Sequence, residues 1–253
     1  LGASHGAGEY IVFLTHDALP ASNRWLQNLI DAMKIDDQVV GGFGAHLTYP
    51  GCNPLDARDI AAHFASFGTE NKVMYIDDEE KYRSDDFYYR IASFFSDNNA
   101  CIRRDIWEKY PYPDVEFAED QIWMRMMLEK GYRKVYCPSA SVYHSHNFKL
   151  SEYFGRYYDE YQALYSLYGE YLIVGRLLHV PKAAIVSARR DVAYARSLDI
   201  SFSKKCYLIH YSIWRNLFKY VAGYLGGTSN LIDPEKRARR DRKYSQQHAQ
   251  REA

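Results

Sequence analysis

In Glu9-Tyr-Ile-Val-Phe-Leu-Thr-His-Asp-Ala-Leu-Pro20, an apolar run from Tyr10 to Leu14 gives way at once to Thr15, His16 and Asp17. A short run rich in β-branched and aromatic residues reads as a buried strand. A carboxylate placed directly after such a strand stands at the carboxyl edge of a sheet, where open α/β folds bind their ligands. Asp17 is therefore a candidate ligand for Mg²⁺ or Mn²⁺, sharing the ion with substrate phosphates. A solvated loop acid or a helix cap is the plainer reading of the same residue.

Working outward, Trp25, Leu26, Leu29, Ile30 and Met33 recur at helical spacing, with Ser22 or Asn23 as the cap. Val39 to Tyr49 reads as a strand with an irregularity at Gly41-Gly42, and Tyr49-Pro-Gly-Cys-Asn-Pro54 as a turn. Residues 55–90 mix short amphipathic stretches with acidic loops and read as a mobile loop or lid. Phe94 to Ile102 reads as a strand leading into a short helix at Asp105–Lys109. Glu119–Asp120 opens a helical run that stops at Gly131, a natural residue just past a helix end. Val135-Tyr136 and Val142-Tyr143 read as short strands. Such alternation predicts an α/β layered domain over residues 1–150.

From residue 151 to 253 the pattern is helical. Tyr153, Tyr157, Tyr161, Leu164 and Tyr168 share one face. Pro181 suits a helix start, and Ala183 to Leu198 follows it. Cys206 to Leu225 carries Trp214, Leu217, Phe218, Val221 and Leu225 on one stripe, with Gly226-Gly227 as its end. The basic stretch Lys236 to Lys243 reads as frayed.

Composition bounds the class. The 253 residues are 47% hydrophobic and 25% charged, ordinary for a globular chain. A formal net charge of +0 offers no global field to recruit nucleic acid. Aromatic content is 16%, with 24 tyrosines, which suits interfaces that bury a ring and keep a hydroxyl wet. Cys52, Cys101, Cys137 and Cys206 form no CxxC pair, so neither a zinc cage nor a disulfide framework is expected, and a reducing cytoplasm is. No apolar run reaches the length of a membrane span.

Three further segments carry chemistry. Glu119–Asp120 can be a helix N-terminal pair complementing the dipole. Alternatively Asp120 is a general base for an acceptor hydroxyl, with no Lys or Arg in Phe117-Ala118 to neutralise it. His144 and His146 follow an apolar run, and imidazole is the commonest nitrogen ligand of metals; a lone structural histidine is the competing reading. Ser96-Asp-Asn-Asn-Ala-Cys-Ile-Arg-Arg104 offers Asp97, Asn98 and Asn99 to a hydroxyl-rich ligand or to a turn, and Arg104 to a phosphate or to solvent.

Together these segments resemble family 2 glycosyltransferases of the GT-A fold, and among them the bacterial rhamnosyltransferases that build O-antigens and related cell-surface polysaccharides. Thr15-His-Asp-Ala18 looks like that family's metal motif, Asp-x-Asp at large and often Thr-Gln-Asp-Ala in this subgroup. The first acid is absent here. Phe117-Ala-Glu-Asp-Gln-Ile-Trp-Met-Arg125, Gly131-Tyr-Arg-Lys-Val-Tyr-Cys-Pro138 and Val142-Tyr-His144 are similar to the family's Glu-Asp helix, Gly-Tyr turn and late histidine. The match covers residues 1–150 and continues more weakly through Trp214 to Tyr220.

The resemblance implies a partial GT-A fold, a Rossmann-like mixed sheet with flanking helices, followed by a helical region. It implies Asp120, with Glu119 beside it, as catalytic, and Asp17 and His144 as ligands of a divalent metal. Thr15, His16, Asp97, Asn98, Asn99, Arg104, Trp123 and His146 would touch substrate. The implied reaction is inverting transfer of a sugar, rhamnose, from dTDP-L-rhamnose to a lipid-linked glycan. It would run in the cytoplasm at the inner face of the plasma membrane. Apart from the resemblance, the aromatic helices after residue 150 and the basic tail, Cys206 to Lys243, suit contact with a bilayer surface, and a helical bundle closing the core or a homo-oligomer interface is the plainer reading of them. Because the chain opens at Leu1 within a motif, a preceding nucleotide-binding half is expected. The competing expectation is a non-catalytic glycosyltransferase-like module that binds glycan or scaffolds an assembly.

Overall fold

The computed structural model describes residues 2–115, 118–168 and 173–251. Leu1 and Phe117, both part of the motifs above, lie outside them. The chain divides into two compact units, Leu1–His146 and Asn147–Ala253.

The first unit is mixed α/β. Its elements are β1 (Tyr10–Leu14), β2 (Leu19–Pro20), α1 (Trp25–Met33), β3 (Val39–Leu47), α2 (Pro54–Ala65), β4 (Lys72–Met74), α3 (Glu79–Ser84), α4 (Asp86–Ser93), β5 (Asn99–Arg103), α5 (Arg104–Lys109), α6 (Glu119–Glu129) and β6 (Arg133–Tyr143). Among the described residues the sheet has six strands in the order β1-β5-β3-β6-β2, with β4 also on β6. β3 and β6 run parallel, and the other pairings are antiparallel. β4 takes the first half of the outer side of β6 and β2 the second half.

Burial on both faces explains the continuous apolar runs. One core holds Phe43, Phe95, Ile102, Trp123, Met124 and Met127 beneath α2, α4 and α6. The other packs Trp25, Leu29 and Met33 of α1 against Val39, Val135, Cys137 and Val142. A Cβ on Gly44 would come within 1.9 Å of the Ala140 carbonyl oxygen, so only glycine lets β3 approach β6 there. At the end of α6, Gly131 has φ +84, with its N–H on Leu128 O and the Tyr132 N–H on Met127 O. That is the Schellman arrangement a left-handed glycine permits.

Several expectations change. Residues 55–90 are not a lid but three helices and a strand, with Asn53, Asp78 and Asp85 accepting from the first-turn amides of α2, α3 and α4. The acids read as loop formers are caps. The strand expected from Phe94 begins only at Asn99, because Phe94 and Phe95 pack as core rings in the preceding segment. The two short strands near the end of the unit are one, β6. Pro138 is accommodated beside a register shift between Gly44 and His46 of β3.

The second unit is helical: α7 (Leu150–Tyr168), α8 (Val180–Ser197), α9 (Phe202–Gly227), α10 (Pro234–Tyr244) and α11 (Gln246–Arg251). Tyr153, Tyr158 and Tyr161 of α7 are buried, and Tyr158 donates to Asp241 at 2.7 Å. The side chain of Tyr168 lies outside the described residues. α9 ends at Gly226-Gly227, as the glycine pair predicts, with Thr228 as its cap. A Cβ on Gly226 would meet the Tyr158 carbonyl oxygen at 2.1 Å, so this glycine permits a close helix crossing. The buried face of α9 is Leu208, Tyr211, Ser212, Arg215, Asn216 and Ala222 rather than the stripe through Trp214, which is 41% exposed. The basic stretch expected to fray is α10, capped by Asp233, whose side chain accepts from the Glu235 amide at 2.9 Å. No helix among the described residues is long and apolar enough to cross a membrane.

Candidate functional site

Strand directions set the site. Leu14 pairs with Asn99, and Leu47 with Tyr143. β1, β3 and β6 therefore finish at the edge where β5 begins. The turn after β1, the segment after β6 and the loop before β5 all emerge there.

The first cluster joins Asp17, His144 and His146. One ligand atom from each lies within 4.8 Å of the others. Asp17 Oδ2 is 3.4 Å from Nε2 of His144 and 3.4 Å from Nε2 of His146. The imidazoles are perpendicular, with centroids 4.9 Å apart. The His144 amide donates to Leu47 O at 2.8 Å, which fixes the first histidine at the end of β6. Burial pushes the Asp17 carboxyl up, but the Thr15 hydroxyl and the His144 and His146 imidazoles outweigh it and hold it below the ordinary range.

These donors fit a divalent ion. Bonds of about 2.1 Å would set ligand atoms roughly 3.0–3.4 Å apart, the spacing found from Asp17 to each imidazole. Two imidazole nitrogens and one carboxylate oxygen suit a first-row transition ion better than Mg²⁺, which prefers oxygen alone. His146, expected as a substrate contact, stands in the structure as a third donor. His16, its counterpart on the other segment, points to solvent.

Two positioning groups were not legible from the sequence. Tyr49 donates through its hydroxyl to Asp17 O at 3.0 Å, and its amide donates to Ser145 Oγ at 2.9 Å. It ties the Asp17 turn to the His144–His146 segment. His46 lies 5.2 Å from His144, ring to ring, and 4.6 Å from Phe64. Burial lowers its pKa to about 3, so it backs His144 as a neutral ring. The i, i+2 histidine pair carries a visible signal, whereas a tyrosine in a Tyr-Pro-Gly turn carries none.

The second cluster is a pair of half-buried carboxyls. Asp120 sits in the first turn of α6. Its Oδ2 accepts from the Asp97 amide at 3.1 Å and its Oδ1 from the Gln121 amide at 2.7 Å. Asp97 Oδ1 accepts from the Tyr112 hydroxyl at 2.9 Å. Among the described residues no hydrogen bond or ion pair joins either acid to a Lys or Arg. Burial, then the charge of Asp120, pushes Asp97 up to about 8. Burial raises Asp120 to about 6, opposed by the two amides and assisted by neighbouring Glu119. At neutral pH the pair thus holds close to one proton, with Asp120 the ionised member.

The remaining expected contacts separate. Asn98 is half-buried in the turn before β5, beside Asp97. Asn99 is fully buried, taking the Trp25 indole N–H at 2.7 Å and donating to Ala140 O at 2.7 Å. Its polar capacity is spent on the fold, so it is not a sugar contact. Trp123 is also fully buried, donates to Tyr110 O at 2.6 Å and lies 5.3 Å from the Tyr112 ring. It supports the tyrosine that touches Asp97 rather than a ligand. Arg104 lies past the far end of β5, a strand length of about 17 Å from this edge, and holds the carbonyls of Gly8 and Ala3. Lys134 is fully buried and donates to the carbonyls of Ile91 and Phe94, which anchors the segment leading to Asp97.

No protein-family model matches the chain. An O-antigen chain rhamnosyltransferase, WbaN of Salmonella anatum, is 31% identical over 161 residues, 62% of this chain and 47% of that protein. A second, RfbN of Salmonella typhimurium, is 31% identical over 154 residues, 60% of this chain and 46% of its own length. The relationship is to glycosyltransferases. The chain spans about half the length of the curated relatives it matches.

Proposed function

We propose that the sheet edge bearing Asp17, His144, His146 and Asp120 serves an inverting glycosyl transfer in O-antigen synthesis. The observation that carries this reading is the meeting of a three-donor Asp-His-His cluster and a cation-free, half-buried carboxyl pair at one edge of one sheet. Relatives named as rhamnosyltransferases support rhamnose as the sugar. The resemblance described above supports dTDP-L-rhamnose as donor, a lipid-linked glycan as acceptor, and work in the cytoplasm at a membrane surface.

Asp17, His144 and His146 would hold the divalent ion, here Mn²⁺ in preference to Mg²⁺. A bound ion supplies positive charge to the leaving nucleoside diphosphate. His146 in this reading makes up for the missing first acid of the Asp-x-Asp pattern. Asp120 takes the proton of the acceptor hydroxyl. The oxygen forms its bond to the anomeric carbon as the bond to the diphosphate oxygen breaks, and that electron pair leaves with the diphosphate. A base near pKa 6 is ionised at neutral pH yet basic enough to share a proton in the transition state. Protonated Asp97 keeps a second negative charge away from Asp120, and Asp97 and half-buried Asn98 are the polar groups offered to the sugar.

The test is release of dTDP from dTDP-L-rhamnose with Mn²⁺ and acceptor glycan. Asp120→Asn should lower kcat roughly 10²–10⁴-fold. In the unmodified protein kcat/KM should rise with pH through about 6, as Asp120 loses its proton. Equal release by variant and parent overturns the base assignment. Absence of release from any nucleotide sugar, with glycan binding intact, leaves the non-catalytic module as the function.

A further inference from the structure

Residues 147–253 carry 18 of the 32 Lys and Arg but 10 of the 32 Asp and Glu, a net +8 that leaves −8 on residues 1–146. The excess is concentrated in α8 and α9. Over 180–227 lie Lys182, Arg189, Arg190, Arg196, Lys204, Lys205, Arg215 and Lys219 against two acids, Asp191 and Asp199. Arg215 and Asp191 are buried together, 3.8 Å apart. Outside the core, seven cations therefore face one acid.

Two of those cations, Arg189 and Arg196, border apolar surface. A groove of about 650 Å³ runs between α8 and α9, lined by Ile185, Ala188, Val192, Ile213 and Leu217, with Arg189 and Arg196 also in its walls. It opens outward from the seam that joins the helices: buried Ala184 forms its floor, and Ile185 and Ile213 stand at its rim. Ile185 is 54% exposed and Ile213 50%, and Phe202 and Tyr207 stand out on the same helix as Ile213 at 82% and 61%.

We infer that this α8–α9 face docks on the surface of an anionic phospholipid bilayer. Helices that lie in a bilayer interface pair exposed apolar side chains with Lys and Arg and keep acids away. Arginine suits the border, since its stem lies along acyl chains while its head reaches phosphates. A second copy of the chain is a poor occupant, because it would set Arg189 and Arg196 of one groove against the same arginines of the other, with no acid in either groove wall. The interface needs no spanning helix, and none is present among the described residues. The inference is independent of the transfer reaction, because its readout involves no turnover.

The experiment is co-sedimentation with vesicles of phosphatidylglycerol and phosphatidylcholine, compared with phosphatidylcholine alone, at low and high salt. Binding should require phosphatidylglycerol and fall with salt. Each surface cation near an anionic leaflet contributes about fivefold to partitioning, so Arg189→Gln with Arg196→Gln should weaken it roughly 25-fold. Ile185→Ser with Ile213→Ser should weaken it roughly tenfold by removing the inserted groups. All four side chains are on the surface, and an unchanged helical circular dichroism signal checks the fold. Equal binding to both vesicle types, or none, overturns the inference without any substitution. So does full binding by both double variants, or a dimer that the same substitutions dissociate.

Discussion

The two units treat an aspartate drawn in from the surface in opposite ways. In residues 147–253, Asp191 accepts from the Asn216 side-chain amide at 2.7 Å and faces Arg215, and Asp159 accepts from the amides of Gln246 and Gln247 at 2.9 and 3.0 Å. Both hold helices together. In residues 1–146, Asp97 and Asp120 lie half-buried beside each other with no cation against them and are pushed up to about 8 and about 6. Loss of water is common to both pairs, more complete for Asp159 and Asp191. What marks the second pair is that its charge is left uncompensated, at an energetic cost the fold tolerates at a sheet edge.

The largest expected effect breaks that contrast on the helical side. Asp191→Ala leaves Arg215, 3% exposed, without its acid. Removing one partner of a buried ion pair costs about 3–5 kcal/mol. Denaturant unfolding should show that loss for Asp191→Ala and little change for Asp120→Asn. Similar losses from both would mean that Asp120 is as structural as Asp191.

Next comes the pH dependence of Asp97. Its folded pKa lies above the ordinary aspartate value, so its protonated form is the one the fold prefers. Stability from this group is complete at low pH, declines once the unfolded chain ionises near 4, and stops declining above about 8. Asp97→Asn should flatten that decline and raise stability at pH 7 by about 2 kcal/mol, allowing for coupling to Asp120. Stability curves of parent and variant that stay parallel from pH 4 to pH 8 would remove the raised carboxyl from the account.

Much of the fold was legible because the strands and most helices carry local signals. Tyr10–Leu14 and the α6 run ending at Gly131 are set by apolar periodicity and a left-handed glycine. The edge gathering Asp17, Asp120 and His144 followed from where each sits relative to its element. What was illegible is what depends on partners distant in the chain. Asn99 and Asp97 look alike within one Ser-Asp-Asn-Asn run, yet one is claimed by Trp25 and Ala140 while the other meets Asp120. Arg104 could not be placed without the direction of β5. The stripe through Trp214 was misassigned because α9 buries polar groups, Ser212, Arg215 and Asn216, which a hydrophobic pattern assigns to the outside.

The Asp17–His144–His146 cluster offers a sharper comparison within the first unit, between two histidines each next to Asp17 in one sense. His16 is adjacent in sequence and solvent-exposed, whereas His146 is 129 positions away with its Nε2 3.4 Å from the carboxylate. Mn²⁺ titration followed by calorimetry should find His146→Ala weakened tenfold or more, about 1.4 kcal/mol, and His16→Ala close to parent. Reversed ranks would move the site onto the β1 turn alone.

The smallest effect belongs to Tyr49. Its hydroxyl spans from one ligand segment to the other, donating to the Asp17 carbonyl, while its amide holds Ser145 between the two histidines. Tyr49→Phe keeps the ring and its stacking on Tyr143 but removes the hydroxyl bond. A single neutral hydrogen bond contributes about 1 kcal/mol, so Mn²⁺ affinity should fall severalfold, less than for His146→Ala. Because the lost bond orients a turn rather than donating to the ion, Tyr49→Phe should combine with His146→Ala less than additively, as expected for groups acting on one geometry. Strict additivity in the double variant would show that Tyr49 acts on the fold alone and leaves the orientation of Asp17 to the Thr15–Ala18 turn.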